Sequence, residues 1–378
     1  MRQGVVMRKP DDLSIGILSP GELFGGVETQ VLGLCSRLRE IGVNTLAILF
    51  HDHELAARLR ESGLVPVILT ARHRYDPQVA RHLADLVISR GVDVLHLHGY
   101  RAAVTTAVAG SRLRVAVVKT EHGRPEPGRA VMGRGKSRIN RFLDNWATRR
   151  LNAHVCYVTA DLMHHFNTSH AGLERRVLHN GIVPLSRNGR PRPAGLEPGL
   201  FHAGIVGRIS RVKGIHFALR AMSTDAVPAH VHLDIIGSGP EEDELRRYVV
   251  SQGLSGRVSF HGFQRNVLDW IAHLDALLMP SLHEGLPYAL LEAMSLGVPV
   301  VASQVGGLVE VLRHEQTGLL VEAGNTDGLA RALAGLARDP DLGHRLGSAA
   351  AQEQRDRYTL DRMVGDYLEI YSRAAGRA

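Results

Sequence analysis

Short, almost wholly apolar runs recur along the chain, and each is followed by a stretch whose apolar positions repeat every three to four residues. LSIGILS reads as a strand and VETQVLGLCSRLREIG as the helix after it. NTLAILF, VPVIL, VDVLHLH, RVAVVKTEH and AHVCYVT continue the strands, with ELAARLRESG and QVARHLADLVISRG as helices between them. Continuous apolar strands alternating with helices predict a parallel sheet covered on both faces. The pattern breaks at VPLSRNGRPRPAGLEPG, rich in Pro, Gly and Arg, which reads as a linker or exposed connection. It then restarts with FHAGIVG, HFALRAM, VHLDIIG, EEDELRRYVVSQG, RVSFHG, VLDWIAHL, ALLMPS, PYALLEAMSLG and VPVVAS. Two doubly wound α/β domains with a cleft between them are expected, and LDRMVGDYLEIYSRAA closes the chain as one amphipathic helix.

Composition adds little to this until charge is mapped. A length of 378 residues suits two domains of ordinary size. Two cysteines, Cys35 and Cys156, cannot form a disulfide framework and fit buried thiols in a reducing compartment. The opening MRQGVVMRKPDDLS lacks the apolar core of a signal peptide, and no apolar run approaches the length needed to span a bilayer, so a cytoplasmic protein is expected. The net charge of +7 is concentrated between Arg124 and Arg150, where eight basic residues face only Glu126 and Asp144. Nucleic acid, an anionic membrane or a phosphorylated substrate each accounts for that, as does a solvated helix face.

Three stretches point to phosphate and sugar chemistry. In PGELFGGVETQ, Gly25 and Gly26 let the backbone approach a ligand just where a helix begins at Val27, and helix N-termini bind anions. The dinucleotide fingerprint GxGxxG is absent, and a GG before a helix is also an ordinary tight turn. In GRISRVKG, 207–214, Arg208 and Lys213 follow the strand FHAGIV, and Lys213 is one of only four lysines. A guanidinium fork and an ammonium beyond a strand end suit a diphosphate. In SLHEGLPYALLEAMSLGVPVVAS, Glu284 lies in a loop after a strand, Pro287 suits the first position of the next helix, and Glu292 falls in its second turn. Carboxylates there accept hydrogen bonds from sugar hydroxyls.

Taken together, these stretches resemble the large retaining glycosyltransferase family with the GT-B fold, the group 1 or family 4 type. FGGVE looks like its early GG turn, and HNGI at 179–182 like its junction between domains. GRISRVKG looks like its phosphate motif, EGLPYALLE like its E-x7-E motif, and GGLVEVLRHEQTGLLVEAGN like the segment that follows. The resemblance implies two Rossmann-like domains facing a cleft: residues 1–185 binding acceptor and residues 200–358 binding the nucleotide sugar. The closing helix, 360–378, would cross back to the first domain. It implies a hexosyl transfer, retaining and metal-independent, from a UDP- or GDP-linked donor to a glycan or lipid-linked acceptor in polysaccharide or glycoconjugate biosynthesis. No cofactor, metal or nucleic-acid partner is expected. The alternative is a nucleotide-sugar epimerase or hydrolase on the same fold.

The same resemblance implies roles residue by residue. Gly25 and Gly26 would offer backbone N–H groups to the donor diphosphate, and Arg208 and Lys213 would hold it as it departs. Glu284 would touch the transferred sugar with Gly285, Leu286 and Pro287, and Glu292 would hold the ribose. His122, in TEHG, would sit beside the sugar, with His98 on the acceptor side. Val183 stands where the family usually has Asp, and Pro287–Tyr288 where many members have Gly, which alters the loop around the donor sugar. RPEPGRAVMGRGKSRINR reads as a mobile basic loop, with RFLDNWATRRL after it as a helix carrying Phe142 and Trp146, aromatics that beside basic side chains suit an anionic membrane interface. The loop, with Arg129 and Lys136, is expected to meet an anionic membrane at the inner face of the cell and guide a lipid-linked acceptor.

Overall fold

A computed structural model of the chain describes residues 12–70, 76–124 and 131–376, and of residue 111 and residues 131–137 the backbone only. The chain divides into two compact units: one runs to Gly181 and takes in the segment from Leu360, the other is Ile182–Thr359.

The first unit contains β1 (Ser14–Ser19), α1 (Gly26–Glu40), β2 (Asn44–Leu49), α2 (Glu54–Glu61), β3 (Val67–Ile68), α3 (Pro77–Ser89) and β4 (Val94–His98). It continues through α4 (Gly99–Ala109), β5 (Ala116–Glu121), α5 (Val131–Arg150), β6 (His154–Tyr157), α6 (Ala160–His165) and β7 (Arg175–Val177). The strands lie in the order β3-β2-β1-β4-β5-β6-β7, every pair parallel. Every residue of β1, β4 and β5 is buried, because helices cover both faces of the sheet.

The second unit contains β8 (Phe201–Val206), α7 (Ile215–Met222), β9 (Val231–Ile236), α8 (Glu242–Ser251), β10 (Val258–Gly262), α9 (Val267–Ala272) and β11 (Ala276–Met279). It ends with α10 (Tyr288–Ser295), β12 (Val300–Ser303), α11 (Gly306–Val311), β13 (Leu319–Val321), α12 (Thr326–Arg338) and α13 (Pro340–Arg357). Its order is β10-β9-β8-β11-β12-β13, again all parallel. Both sheets therefore reverse direction at the first and fourth strands of the unit. In open parallel sheets ligands sit at that switch point, beyond the carboxyl ends of the strands.

The closing helix α14 (Leu360–Ala375) returns to the first unit. Met363, Val364, Tyr367, Ile370 and Tyr371 share one core with Val31, Leu34 and Leu38 of α1 and with β1. Its polar contacts are equally buried. His96 Nδ1 of β4 hydrogen-bonds Tyr371 Oη at 2.7 Å, and Tyr367 Oη shares a hydrogen bond with Thr120 Oγ1 at 2.9 Å and accepts from Gln30 Nε2 at 3.3 Å.

Two readings of local structure differ from the sequence expectation. The helix after the basic loop begins at Val131, about ten residues earlier than RFLDNWATRRL suggests, and runs through Gly133 and Gly135. Each glycine costs roughly 1 kcal/mol against alanine in a helix, but the anchored inner face of α5 carries the helix. Residues 183–200 are exposed at most positions, as expected of a connection, but they are strapped to the second unit rather than loose. Leu185 N donates to Ser295 Oγ at 2.8 Å, Arg187 to the Leu274 carbonyl at 3.1 Å, and Arg190 to Asp269 Oδ1 at 3.1 Å. Leu196 is buried against Ile236 and Trp270. His202 Nε2 lies 2.8 Å from the Glu197 carbonyl and Nδ1 2.7 Å from buried Asp234. Burial works against the charged ring, yet these two acceptors hold its pKa above the ordinary value.

Candidate active site

The residues singled out in the sequence fall into two clusters, one at the switch point of each unit. In the second unit, the turn after β8 carries Arg208 and Lys213, and the loop after β11 carries Glu284. Lys213 Nζ donates to Glu284 Oε1 at 2.7 Å, and Ser281 Oγ donates to the same oxygen at 2.7 Å. Both bonds fall on Oε1, so Oε2 is the oxygen left to accept from a ligand hydroxyl. The pair is largely shielded, with side-chain exposures of 22% for Lys213 and 9% for Glu284. Arg208 is exposed in the same turn.

Backbone packing fixes this geometry. Gly214 has φ +60°, and a Cβ there would run into the Pro280 carbonyl, so the β8 turn lies directly on the β11 loop. Leu282 N donates to the Val212 carbonyl at 2.8 Å across the same contact. Gly306, at φ +46°, brings the start of α11 against Glu284; a Cβ there would collide with the Glu284 carbonyl. Pro287 proves to be the N-cap of α10, extended at φ −74° and ψ 138°, rather than its first helical residue. Gly285 and Leu286 are buried before it, and the helix proper begins at Tyr288. Glu292 sits in the second turn, partly buried. Desolvation pushes its carboxyl up to about 7, with the Arg190 guanidinium pulling in the other direction. It is thus poised to change charge near neutrality.

In the first unit, Gly25 is the N-cap of α1 and Gly26 its first residue, both exposed. Glu28 closes this helix start: Gly25 N donates to Glu28 Oε2 at 3.1 Å. Glu28 is buried, and desolvation raises its carboxyl to about 7 against the pull of those backbone N–H groups. His98 ends β4 and His122 follows β5, which lies next to it in the sheet. His98 Nδ1 and His122 Nε2 share a hydrogen bond of 2.9 Å. Burial, with the Lys119 ammonium adding to it, lowers His122 to about 4, and burial holds His98 well below the ordinary histidine value, so both rings are neutral near pH 7. Lys119 itself is wholly buried, donating to Glu121 at 2.6 Å, Asp144 at 2.7 Å and Thr148 at 3.1 Å. Arg129 lies outside the described residues, and of Lys136 only the helical backbone within α5 is described.

Three participants escaped the sequence reading. Ser281 gave a signal in hindsight, standing three residues before Glu284 as an N-terminal partner for it. Glu28 follows the GG turn as a capping-box acid would. Lys119 gave none, because only Glu121 is near it in sequence while Asp144 and Thr148 are distant.

Two all-parallel Rossmann-like units, each with chemistry at its strand switch point, define the GT-B class of α/β fold. Comparison with known proteins agrees. The family "Glycosyltransferase Family 4" matches residues 24–184, and the family "Glycosyl transferases group 1" matches residues 201–339. The chain belongs to these GT-B glycosyltransferases. It is 31% identical over 166 residues to N-acetyl-alpha-D-glucosaminyl L-malate synthase of Bacillus anthracis, covering 44% of each chain, so it matches less than half of that relative's length. It is 28% identical over 310 residues to D-inositol 3-phosphate glycosyltransferase of Pseudarthrobacter chlorophenolicus, covering 75% of this chain and 71% of that one. Its fold matches the crystal structure of Anabaena HepE in complex with UDP and glucose, with a TM-score of 0.81 at 21% identity, over 95% of this chain and 99% of that one.

Proposed function

We propose that this chain is a retaining, metal-independent hexosyltransferase. It moves a sugar from a UDP- or GDP-linked donor to a glycan or lipid-linked acceptor in polysaccharide or glycoconjugate biosynthesis. The observation that carries the reading is the shielded Lys213–Glu284 pair at the switch point of the second unit. It sets a cation for a departing diphosphate beside a carboxylate whose second oxygen can accept from a sugar hydroxyl. Two relatives that transfer or join sugars by name, and a fold neighbour holding UDP and glucose, support a nucleotide-sugar donor and UDP in particular.

In this reading the second unit binds donor. Arg208 and Lys213 stabilise the diphosphate as the bond to the sugar anomeric carbon breaks, the place where fixed charge lowers the barrier most. Glu284 and the N–H groups at the start of α10 hold the sugar, and Glu292, ionised, accepts from the ribose hydroxyls. At the Gly25–Gly26 turn, Gly26 adds its backbone N–H to the diphosphate, while the Gly25 N–H is held by Glu28. His122, kept neutral, contacts the sugar, and His98, bonded to it, lines the acceptor side. The acceptor attacks from the face the phosphate is leaving and hands its proton to a phosphate oxygen, which retains the anomeric configuration. Family membership favours transfer over epimerisation or hydrolysis.

The test is a thermal-shift panel of UDP-, GDP- and ADP-sugars, followed by product analysis with a labelled donor. A ligand at about a hundred times its Kd stabilises by about 2.7 kcal/mol, a readily measured rise in melting temperature. A UDP- or GDP-sugar is expected to give it, with label appearing in a glycosylated product when acceptor is added. No shift with any nucleotide sugar, or release of label only as free sugar with every acceptor tried, would overturn the reading.

A further inference from the structure

Helix α5 has two unlike faces. Asp144, Ala147 and Thr148 turn inward: Ala147 and Thr148 are fully buried, and Asp144 pairs with buried Lys119 at 2.7 Å. At 3.6 residues per turn, Ile139, Phe142 and Trp146 fall within about 60° of one another on the opposite side. All three are open to solvent, at 61%, 70% and 41% exposure. A stripe of one aliphatic and two aromatic side chains on the outside of a helix is the reverse of the usual pattern, in which apolar positions face the core.

Charge identifies what covers it. Arg138 lies along one edge of the stripe, Arg141 further round the same side, and Arg150 along the other edge, all exposed. The sole acidic residue in 131–150 is Asp144, which is turned inward and neutralised. Arg149 is directed to the carbonyls of Ser169 and Thr168, so it belongs to the fold rather than to the stripe. An apolar stripe bearing Trp and Phe, bordered by arginines on both sides and free of outward acid, matches the boundary of an anionic bilayer. There aromatic rings settle among the headgroups and guanidinium groups meet lipid phosphates.

We propose that α5 lies on an anionic lipid surface through Ile139, Phe142 and Trp146, with Arg138, Arg141 and Arg150 binding the headgroups. The membrane contact expected of the basic segment, with Phe142 and Trp146 beside it, is thereby given a specific face of the helix.

Vesicle co-sedimentation of the full chain tests this without any donor sugar, so its failure leaves the transferase reading standing. The probes are vesicles of phosphatidylcholine alone and of phosphatidylcholine with roughly one-third phosphatidylglycerol. The chain is expected to pellet with the mixed vesicles at low salt, to release as salt rises, and to stay in solution with phosphatidylcholine alone. Each arginine removed should weaken partition about fivefold. The triple variant Ile139→Ser, Phe142→Ser, Trp146→Ser should lose at least about tenfold while keeping its thermal melt, since all three side chains are outside the core. Fluorescence gives an independent readout. Trp270 is buried, so a blue shift on adding mixed vesicles, with quenching by brominated lipid, reports Trp146 and should vanish in Trp146→Ser. Equal pelleting of wild type and the triple variant, or no pelleting of wild type with mixed vesicles, would overturn the proposal. So would self-association in solution that the triple substitution abolishes, because a second copy would then be the occupant.

Discussion

Replacing Lys213 and Glu284 singly and together reports whether their ion pair operates in the working enzyme. The two groups meet at 2.7 Å with little solvent around the carboxylate. Two unit charges about 4 Å apart at an effective dielectric near 20 attract by about 4 kcal/mol before desolvation is subtracted. Each residue also has its own partner in the proposed transition state, the diphosphate for Lys213 and the sugar for Glu284. Losing one charged contact of that kind costs about 3 kcal/mol, roughly a hundredfold in rate. Lys213→Ala and Glu284→Ala should each lower kcat/KM about a hundredfold. Independent effects would make the double variant about ten-thousandfold slower. Because removing Lys213 leaves Glu284 supported by Ser281 alone, part of the second loss is already incurred in the first. The double variant should therefore be about a thousandfold slower, a coupling near 1.4 kcal/mol. The assay is initial-rate transfer from a labelled nucleotide sugar, on variants whose melting curves show intact folding. Strict additivity would mean the pair seen here breaks when donor binds; wild-type turnover by a folded Lys213→Ala protein would remove the phosphate role altogether.

Glu292→Ala should act mainly on donor affinity and Glu284→Ala mainly on turnover; kinetics in the opposite order would exchange their roles. With its carboxyl raised to about 7, Glu292 accepts from ribose hydroxyls more strongly once ionised, so donor affinity should rise as pH increases through about 7, and Glu292→Gln should flatten that rise in a titration by calorimetry. The same upward shift makes its contribution to stability complete below the ordinary carboxylate range and lost as pH climbs through about 7, so Glu292→Gln should reduce the fall in melting temperature across that window. Lys119→Met strands Glu121 and Asp144 as buried carboxylates, and breaking a buried pair this way costs about 3–5 kcal/mol, which should lower the melting temperature by about 10 °C or more at neutral pH. Gly306→Ala drives a side chain into the Glu284 carbonyl at a φ that disfavours one, and strain of about 1–3 kcal/mol at that spot should slow transfer about tenfold or more.

The strands and most helices were legible because a parallel sheet buried on both faces leaves an unbroken apolar run, and β1, β4 and β5 are buried at every position. The placement of the candidate site was legible for a related reason. Ligands gather beyond strand ends, and the chain can place Arg208, Lys213 and Glu284 there only through turns that glycine and proline mark in the sequence. Elements held by partners distant in sequence stayed hidden. Residues 183–200 carry the composition of a loose connection, and nothing local shows that Ser295, Leu274 and Asp269 hold them in place. The first ten residues of α5 look like a loop because Gly133 and Gly135 interrupt the period, while the helix is anchored further on through Asp144 and Lys119.

The same division separates the two kinds of residue in the site. Glu284 could be found from its place after a strand, but its orientation could not. That depends on Ser281 and Lys213 sharing one of its oxygens, on Gly214 letting the β8 turn touch the β11 loop, and on Gly306 letting α11 start against its carbonyl. A motif therefore names the candidate residue, whereas its aim is set by neighbours contributed from three different strand ends. Substitutions at Gly306 or Ser281, which need not touch donor at all, should for that reason impair transfer in proportion to how far they turn the Glu284 carboxylate.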